Sequence, residues 1–375
     1  MKTNNFLKAG FVVGFIFFSL ITYGQEPKTC GPYKINTEAL NKALQFEKSG
    51  AAQNTLASTV LIRVYFHIAT DNDGSNAAAT TDQLKEEFNT LASNYAADNL
   101  CFLYAGVNYI NSSFLNNNFN ADVDSSSDFD TYQVPNCINI FYMKKINGSN
   151  ASCGGSCGYG GIALGGIPGT YCLIASGNIA RGQTITHEVG HCMGLLHTFE
   201  PANGYEDIDG SNSSTSADLI ADTPADPYVF KNLGNSCFSR SSDSCKYTGT
   251  CTDPKGQTNF SPPYTNLMAY WWANSCYFSL QITGNQFTRI NSFLSTNSSL
   301  KQCETTIANA NIYNINVSSG YYFASAVNTL NSGDNVNISG TAISTLGAGN
   351  IIINPGFHAT PSGNGLVLVR VDQCG

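Results

Sequence analysis

The sequence predicts a mixed α/β (α+β) domain followed by a small all-β module at its C-terminal end. Three observations carry that prediction. A β-branched and aromatic run at 59–68, TVLIRVYFHI, leads into a helical period at 82–97 and then into further strand-like runs. A second helical segment carries His187-Glu188-Val189-Gly190-His191. Beyond Cys303 the period changes to two, in INVSSGYYFASAV, NVNISG, GNIIINPGF and GLVLVRV, with Asn, Gly and Ser-Gly turns between the runs.

In chain order, Lys2 and Lys8 precede an apolar run from Phe11 to Ile21 and then the polar Gln25-Glu26. That arrangement is a secretory signal peptide over 1–24, too short for a bilayer span of about 20 residues. The product is expected to be secreted and extracellular, with no membrane span. Residues 25–56 have a polar start and a helical pattern with Leu40, Ala43, Leu44 and Phe46 on one face, which reads as a short pro-segment. The main domain follows over 57–304. Its first helix places Leu84, Phe88, Leu91 and Tyr95 on one face, with Thr80 or Thr81 as N-cap. Further strands are expected at 102–110, 138–143 and 171–175. The module at 305–375 contains two short repeats on Ser-Gly or Ala-Gly turns, too loosely alike to predict a solenoid.

The formal charge of −8 becomes −10 once Lys2 and Lys8 leave with the signal, and only 12% of residues are charged. A phosphate-seeking surface is not expected, which argues against nucleic acid and anionic lipid as partners. Thirteen cysteines in an exported chain read as disulfides, with one left over. Cys30, in Thr29-Cys30-Gly31, lies apart from the others.

The segment from His187 to His197, HEVGHCMGLLH, carries the chemistry. On a helix of about 3.6 residues per turn, His187 and His191 share a face and can meet one Zn2+ at about 2.0–2.1 Å. Glu188 falls beside them, placed to take a proton from an attacking water as general base. Gly194 permits φ > 0, which ends the helix and swings His197 back as third ligand. Three protein ligands leave a position open, the mark of a catalytic rather than a structural zinc site. Thr184 or Thr186 is the expected N-cap of this helix.

At this point the sequence resembles the metzincin clan, whose signature is this eleven-residue motif followed by a Met-containing turn. Asn266-Leu267-Met268-Ala269-Tyr270 matches that turn, so the resemblance makes Met268 the Met-turn residue and Tyr270 a candidate oxyanion stabiliser. Thr198-Phe199 after the motif, the strand-like NIFYM and Ala221-Asp222-Thr223-Pro224-Ala225 are similar to the pappalysin family, in particular its secreted bacterial members. The resemblance spans roughly residues 30 to 295. It implies a two-lobed zinc protease fold with the metal at the bottom of a cleft, and a peptide substrate along the edge of the upper sheet.

The resemblance also implies that Cys30 can fill the open zinc position in a latent form, against the plainer reading of a disulfide to Cys101 or another partner. It implies Ca2+ in the acidic loop after the third histidine, with Asp209, Asp218 and Asp222 as candidate ligands among Glu206, Asp207 and Asp226; a merely solvated loop is the alternative. Bridges Cys237–Cys251 and Cys245–Cys276 would pin this region. Relatives that prefer a basic residue after the scissile bond place an acid just beyond the Met-turn. Here Trp271-Trp272-Ala273-Asn274-Ser275-Cys276 holds none.

Other signals read plainly. Gly154-Gly155-Ser156-Cys157-Gly158 satisfies a serine-hydrolase pattern without its strand-turn-helix context. His67 and His358 read as structural, Trp271 and Trp272 as either pocket lining or core, and Cys192 as a buried thiol or an extra bridge. The sequence thus points to a secreted zinc-dependent endopeptidase acting on proteins or peptides. The alternative is an extracellular binding or adhesin protein with a vestigial protease domain, and the C-terminal module is read as a sorting or adhesion element.

Overall fold

The computed structural model describes residues 33–52, 59–96, 100–148, 159–178, 183–241, 246–271, 280–305 and most of 309–371. The expected signal peptide, Cys30, the 154–158 motif, Trp272, Cys245 and Cys276 lie outside the described residues.

Strand β1 (Val60–Thr70) is the centre of the main sheet. It pairs in parallel with β2 (Leu100–Asn111) on one side and with β3 (Ile138–Met143) on the other. Next to β3 runs β5 (Tyr171–Ala175), again parallel, and β4 (Gly161–Ile162) closes that side antiparallel. A two-residue strand, β6 (Glu304–Thr305), pairs antiparallel with the start of β1. Every residue of β1 is buried, as a largely parallel sheet requires when both faces are covered. Val60, Ile62, Val64, Phe66 and Ile68 face the main core with the helices, while Ala69 joins an aromatic layer with Phe119, Phe129 and Phe141.

Helix α1 (Thr37–Lys48) is capped by Asn36, whose side chain accepts from the Ala39 amide at 3.0 Å, and it buries Leu40 and Ala43 in the main core. Helix α2 (Thr81–Tyr95) starts at a capping box. Gln83 N donates to Thr80 Oγ1 at 3.2 Å and Thr80 N to Gln83 Oε1 at 2.8 Å, so Thr80 is the N-cap rather than Thr81. Then come α3 (Gln183–Cys192), α4 (Tyr228–Asn232), α5 (Gly284–Thr296) and α6 (Ser298–Cys303). Helix α3 begins at Gln183, so Thr184 and Thr186 lie inside it and neither is its cap. Thr186 Oγ1 instead accepts from Asn94 Nδ2 at 3.0 Å, tying α3 to α2.

The region after 305 departs from expectation. Strands β7 (Asn309–Ile312), β8 (Ile315–Val317), β9 (Tyr321–Ser325), β10 (Thr329–Ser332), β11 (Val336–Gly340), β12 (Ile343–Ala348), β13 (Asn350–Ile353), β14 (Phe357–Pro361) and β15 (Leu366–Val371) form three parallel sheets, ordered β13-β10-β7, β14-β11-β8 and β15-β12-β9. Paired residues such as Thr329↔Asn309 and Ile343↔Leu366 lie 20 to 23 positions apart, so each rung is one turn of a solenoid. Ile312, Leu330, Val336, Ile338 and Leu346 fill its interior. Asn331 Nδ2 donates to Asn311 Oδ1 at 2.9 Å and Asn335 Nδ2 to Asn314 Oδ1 at 3.1 Å, an asparagine ladder between rungs. The repeat resides in inward apolar positions and Asn corners, which is why whole-segment similarity did not show it.

Among the described residues, the cysteines also correct the expectation that a single one is left unpaired. Cys237–Cys251 is a bridge and Cys101 is disulfide-bonded, but Cys137, Cys192 and Cys303 are buried free thiols. They act as small apolar core residues. Burial pushes the Cys137 thiol up and the Cys303 thiol up to about 12, which leaves little nucleophilic thiolate.

Candidate metal centre

Helix α3 is buried along its described length from Thr184 to Cys192 and carries His187, Glu188 and His191. Gly194 has φ +96, and a Cβ there would lie 2.0 Å from the Phe293 ring. Glycine is therefore required both for the turn and for the approach of α5, and the chain reverses to return His197. The three Nε2 atoms form a nearly equilateral triangle: 3.0 Å for His191–His187, and 3.1 Å for each distance to His197.

The opposite nitrogens are all engaged. His187 Nδ1 bonds the Leu267 carbonyl at 2.8 Å, His191 Nδ1 the Leu195 carbonyl at 2.7 Å, and His197 Nδ1 the Tyr33 hydroxyl at 2.8 Å. Burial holds the imidazoles in the neutral form: the pKa of His187 falls to about 4, and those of His191 and His197 fall well below the usual value. Three neutral rings with outer nitrogens fixed and inner nitrogens converging fit one ion at the roughly 2.0–2.1 Å that zinc takes from imidazole. Among the described residues, this is the group whose ligand atoms, all within 4.8 Å of one another, could hold a metal.

Glu188 is buried beside the edge strand β4. A Cβ on Gly161 would come within 2.6 Å of Glu188 Oε1, so the glycine is what leaves the carboxylate its place. Met268 packs against the helix between its two histidines. A Cβ on Gly190 would be 2.7 Å from Met268 Sδ, and the Met268 amide donates to Asn266 Oδ1 at 2.8 Å. Asn266 and Gln286 exchange side-chain bonds at 2.8 and 3.1 Å, anchoring the turn to α5. The Tyr270 ring lies 4.8 Å from that of His197 and 5.5 Å from that of His187. Trp271 is core rather than pocket: it is fully buried, and its indole donates to Asp226 Oδ1 at 3.0 Å.

Two residues here escaped sequence reasoning. The Tyr33 ring lies tilted against two of the histidines, 4.9 Å from the His191 ring and 5.3 Å from that of His197, and its hydroxyl also bonds the buried Glu200. Burial raises the Glu200 carboxyl, and the Tyr33 bond partly offsets this. Neither residue belongs to a motif; only Glu200's place three residues after His197 could have drawn notice.

The calcium ligands suggested by the sequence are not brought together. Asp209 is exposed and pairs with Lys255 at 2.9 Å. Asp222 caps α5, accepting from Thr283 Oγ1 at 2.6 Å and the Asn285 amide at 2.9 Å. Asp218 is wholly buried and accepts from Thr223 Oγ1 and the Ile220 amide. Its electrostatic neighbours are Glu206 and Arg289 rather than the other two aspartates. Burial and then Asp226 and Asp207 push Glu206 up to about 8, and burial pushes Asp226 up to about 6 and Asp218 well above its usual value. His67 is core, as expected, with Nε2 2.9 Å from Asn139 Oδ1 and its ring stacked on Phe141.

No family model matches the chain. It is 26% identical over 237 residues to an extracellular metalloprotease of Arthroderma benhamiae, covering 59% of this chain and 72% of that protein. An extracellular metalloprotease of Podospora anserina is 25% identical over 295 residues, covering 70% and 88%, and one of Colletotrichum graminicola 28% over 274 residues, covering 66% and 91%. Among solved structures, a promirolysin variant of Tannerella forsythia aligns with a TM-score of 0.45 at 18% identity, covering 73% of this chain and 96% of that one. Similarity to several extracellular metalloproteases, together with the converging imidazoles, supports a metalloprotease.

Proposed function

We propose that the chain is a secreted zinc-dependent endopeptidase of the metzincin type, allied to the pappalysins. The observation that carries this is the triangle of three Nε2 atoms with Glu188 on the same helix and the Met268 sulfur against Gly190 of that helix. His187, His191 and His197 would hold zinc, which when bound would supply Lewis-acid polarisation to the scissile carbonyl and to the attacking water. Glu188 takes the proton of that water and returns it to the leaving amine, so no covalent intermediate forms. Tyr270, beside the His197 ring, is read as the donor that steadies the developing oxyanion. In the described sheet β4 pairs only with β5, so its outer side offers backbone groups to which an extended substrate can add as a further strand.

Export rests on the N-terminal signal pattern and on the extracellular relatives; no helix among the described residues is long and apolar enough to cross a membrane. The placement of Tyr33 over His191 and His197 supports reading residues 25–56 as a segment that must move before a substrate reaches the histidines. Cys30 remains the proposed latency ligand.

The test is cleavage of casein by matured protein, with and without a zinc chelator, beside Glu188→Ala. Chelator-sensitive proteolysis that vanishes in the variant while one zinc is retained is the expected result. Proteolysis that survives Glu188→Ala would sink the proposed mechanism.

A further inference from the structure

Both faces of β1 are buried, and they are covered by different parts of the chain. The even-numbered residues from Val60 to Ile68 face the helices. At the start of β1 the opposite face presents Leu61, Arg63 and Tyr65, and what meets it is the C-terminal solenoid. Arg63 is only 9% exposed. Its Nε donates to the Asn136 carbonyl at 3.0 Å, its Nη1 to Ser325 Oγ on β9 at 3.2 Å, and its Nη2 to the carbonyls of Gln302 and Glu304. Phe323, two residues before Ser325, packs on the cluster of Tyr65, Ala105, Val134 and Cys137.

On the neighbouring strand β12, Gly347 is in register with Ser325. A Cβ at Gly347 would lie 2.3 Å from Leu103 Cδ1, so the absence of a side chain lets this rung sit flush on β2. Leu103 in turn clusters with Leu61 and Cys101. The three contacts come from one sheet of the solenoid and fall on one patch of the main sheet. A freely tethered appendage would present solvated polar groups on both sides of this contact. Here an apolar layer and a buried guanidinium are shared across it.

We propose that the solenoid is a permanent cover for the second face of the protease sheet, and that the domain over 57–304 does not reach its native fold without residues 309–371. A mostly parallel sheet persists only with both faces covered. Loss of the solenoid would bare Leu61, Tyr65, Leu103 and Ala105 and strip Ser325 from Arg63. The module is then retained in the working protein and is not a tag removed after export.

The inference concerns folding, so it stands or fails independently of the proposed proteolysis. The experiment is calorimetry and zinc counting on three proteins with the same N-terminal sequence: the full chain, full-length Phe323→Ala, and a chain ending at residue 305. A single transition in the full chain, shifted as a whole by several degrees in Phe323→Ala, is expected, with no cooperative transition and less than one zinc in the shortened chain. Two separate transitions of which Phe323→Ala moves only one, or a shortened chain that melts where the full chain does and holds one zinc, would overturn the proposal.

Discussion

His187 Nδ1 lies 2.8 Å from the carbonyl oxygen of Leu267, eighty residues along the chain, and this bond joins the motif helix to the turn beneath it. The next residue, Met268, brings its sulfur against Gly190 between the two helical histidines. The turn therefore sets ring orientation through Leu267 and supports the helix through Met268. Met268→Ala should cost about 2–4 kcal/mol by opening a buried cavity, while Met268→Leu should cost under about 1.5 kcal/mol. Chemical denaturation measures both, and zinc affinity should fall with the first and not the second. Equal losses would mean that side-chain volume under the helix does not matter.

Gly161 and Glu188 form a second pair that tests the site. An added Cβ at 161 would meet Oε1, Cγ and Cδ of the Glu188 side chain at 2.6, 2.7 and 2.9 Å, and that side chain, unlike fixed backbone, can change rotamer. Gly161→Ala should therefore fold and keep one zinc while proteolysis drops at least about tenfold, because displacing a general base forfeits part of the 10²–10⁴-fold it supplies. If the rate is unchanged, the carboxylate does not act from beside β4.

The motif helix α3, β3, β5 and the amphipathic face of α2 were legible because each rests on a local period or a fixed spacing. Gly194 was legible because only its φ lets His197 return. What escaped depends on partners far along the chain. Strand β4 is two residues long and exists only as an edge on β5. Helix α5 carries a capping box in Thr283 and Gln286, a short local signal, but what positions the helix is the distant contact of Gln286 with Asn266. Tyr33 reaches His197 across 164 positions, which no window on the sequence spans. Asp209, Asp218 and Asp222 find separate partners for a related reason: density of acids in sequence does not say which carboxylates are buried together.

Those buried carboxylates give a pH dependence. Glu206, 7% exposed, has its carboxyl raised from 4.5 to about 8, and Asp226 from 3.8 to about 6. In both the folded state holds a proton that the unfolded chain releases earlier. Their stabilising contribution is complete below the unfolded values and is lost as pH climbs through the folded ones. The buried neutral histidines work in the opposite sense below their ordinary value of 6.5, so the unfolding midpoint of chelator-treated protein should fall between pH 6.5 and 8, and Glu206→Gln should flatten that fall. Added Ca2+ at pH 8 that restores the midpoint would show a cation taking the proton's place. No response would leave the cluster as a protonated core element.

The last prediction weighs two ion pairs made by α1. Lys42 and Glu38 lie 2.7 Å apart but are both largely exposed, so Lys42→Ala should leave the unfolding midpoint essentially unchanged. Glu47 meets Arg289 at 2.5 Å, and the arginine side chain is only 2% exposed. Glu47→Ala would leave a buried guanidinium with the Leu219 carbonyl at 2.9 Å and a long contact to that of Asp218. Removing one partner of a buried pair costs about 3–5 kcal/mol, and the remaining carbonyls should hold the loss near the lower end of that range. Denaturation of the two variants side by side decides the matter. If Glu47→Ala is as mild as Lys42→Ala, the carbonyls suffice for Arg289 and α1 is held by Leu40 and Ala43 alone. If it is severe, α1 is tied to α5 through charge as well as packing, and its departure from the fold would also unpair Arg289 beside the buried Asp218.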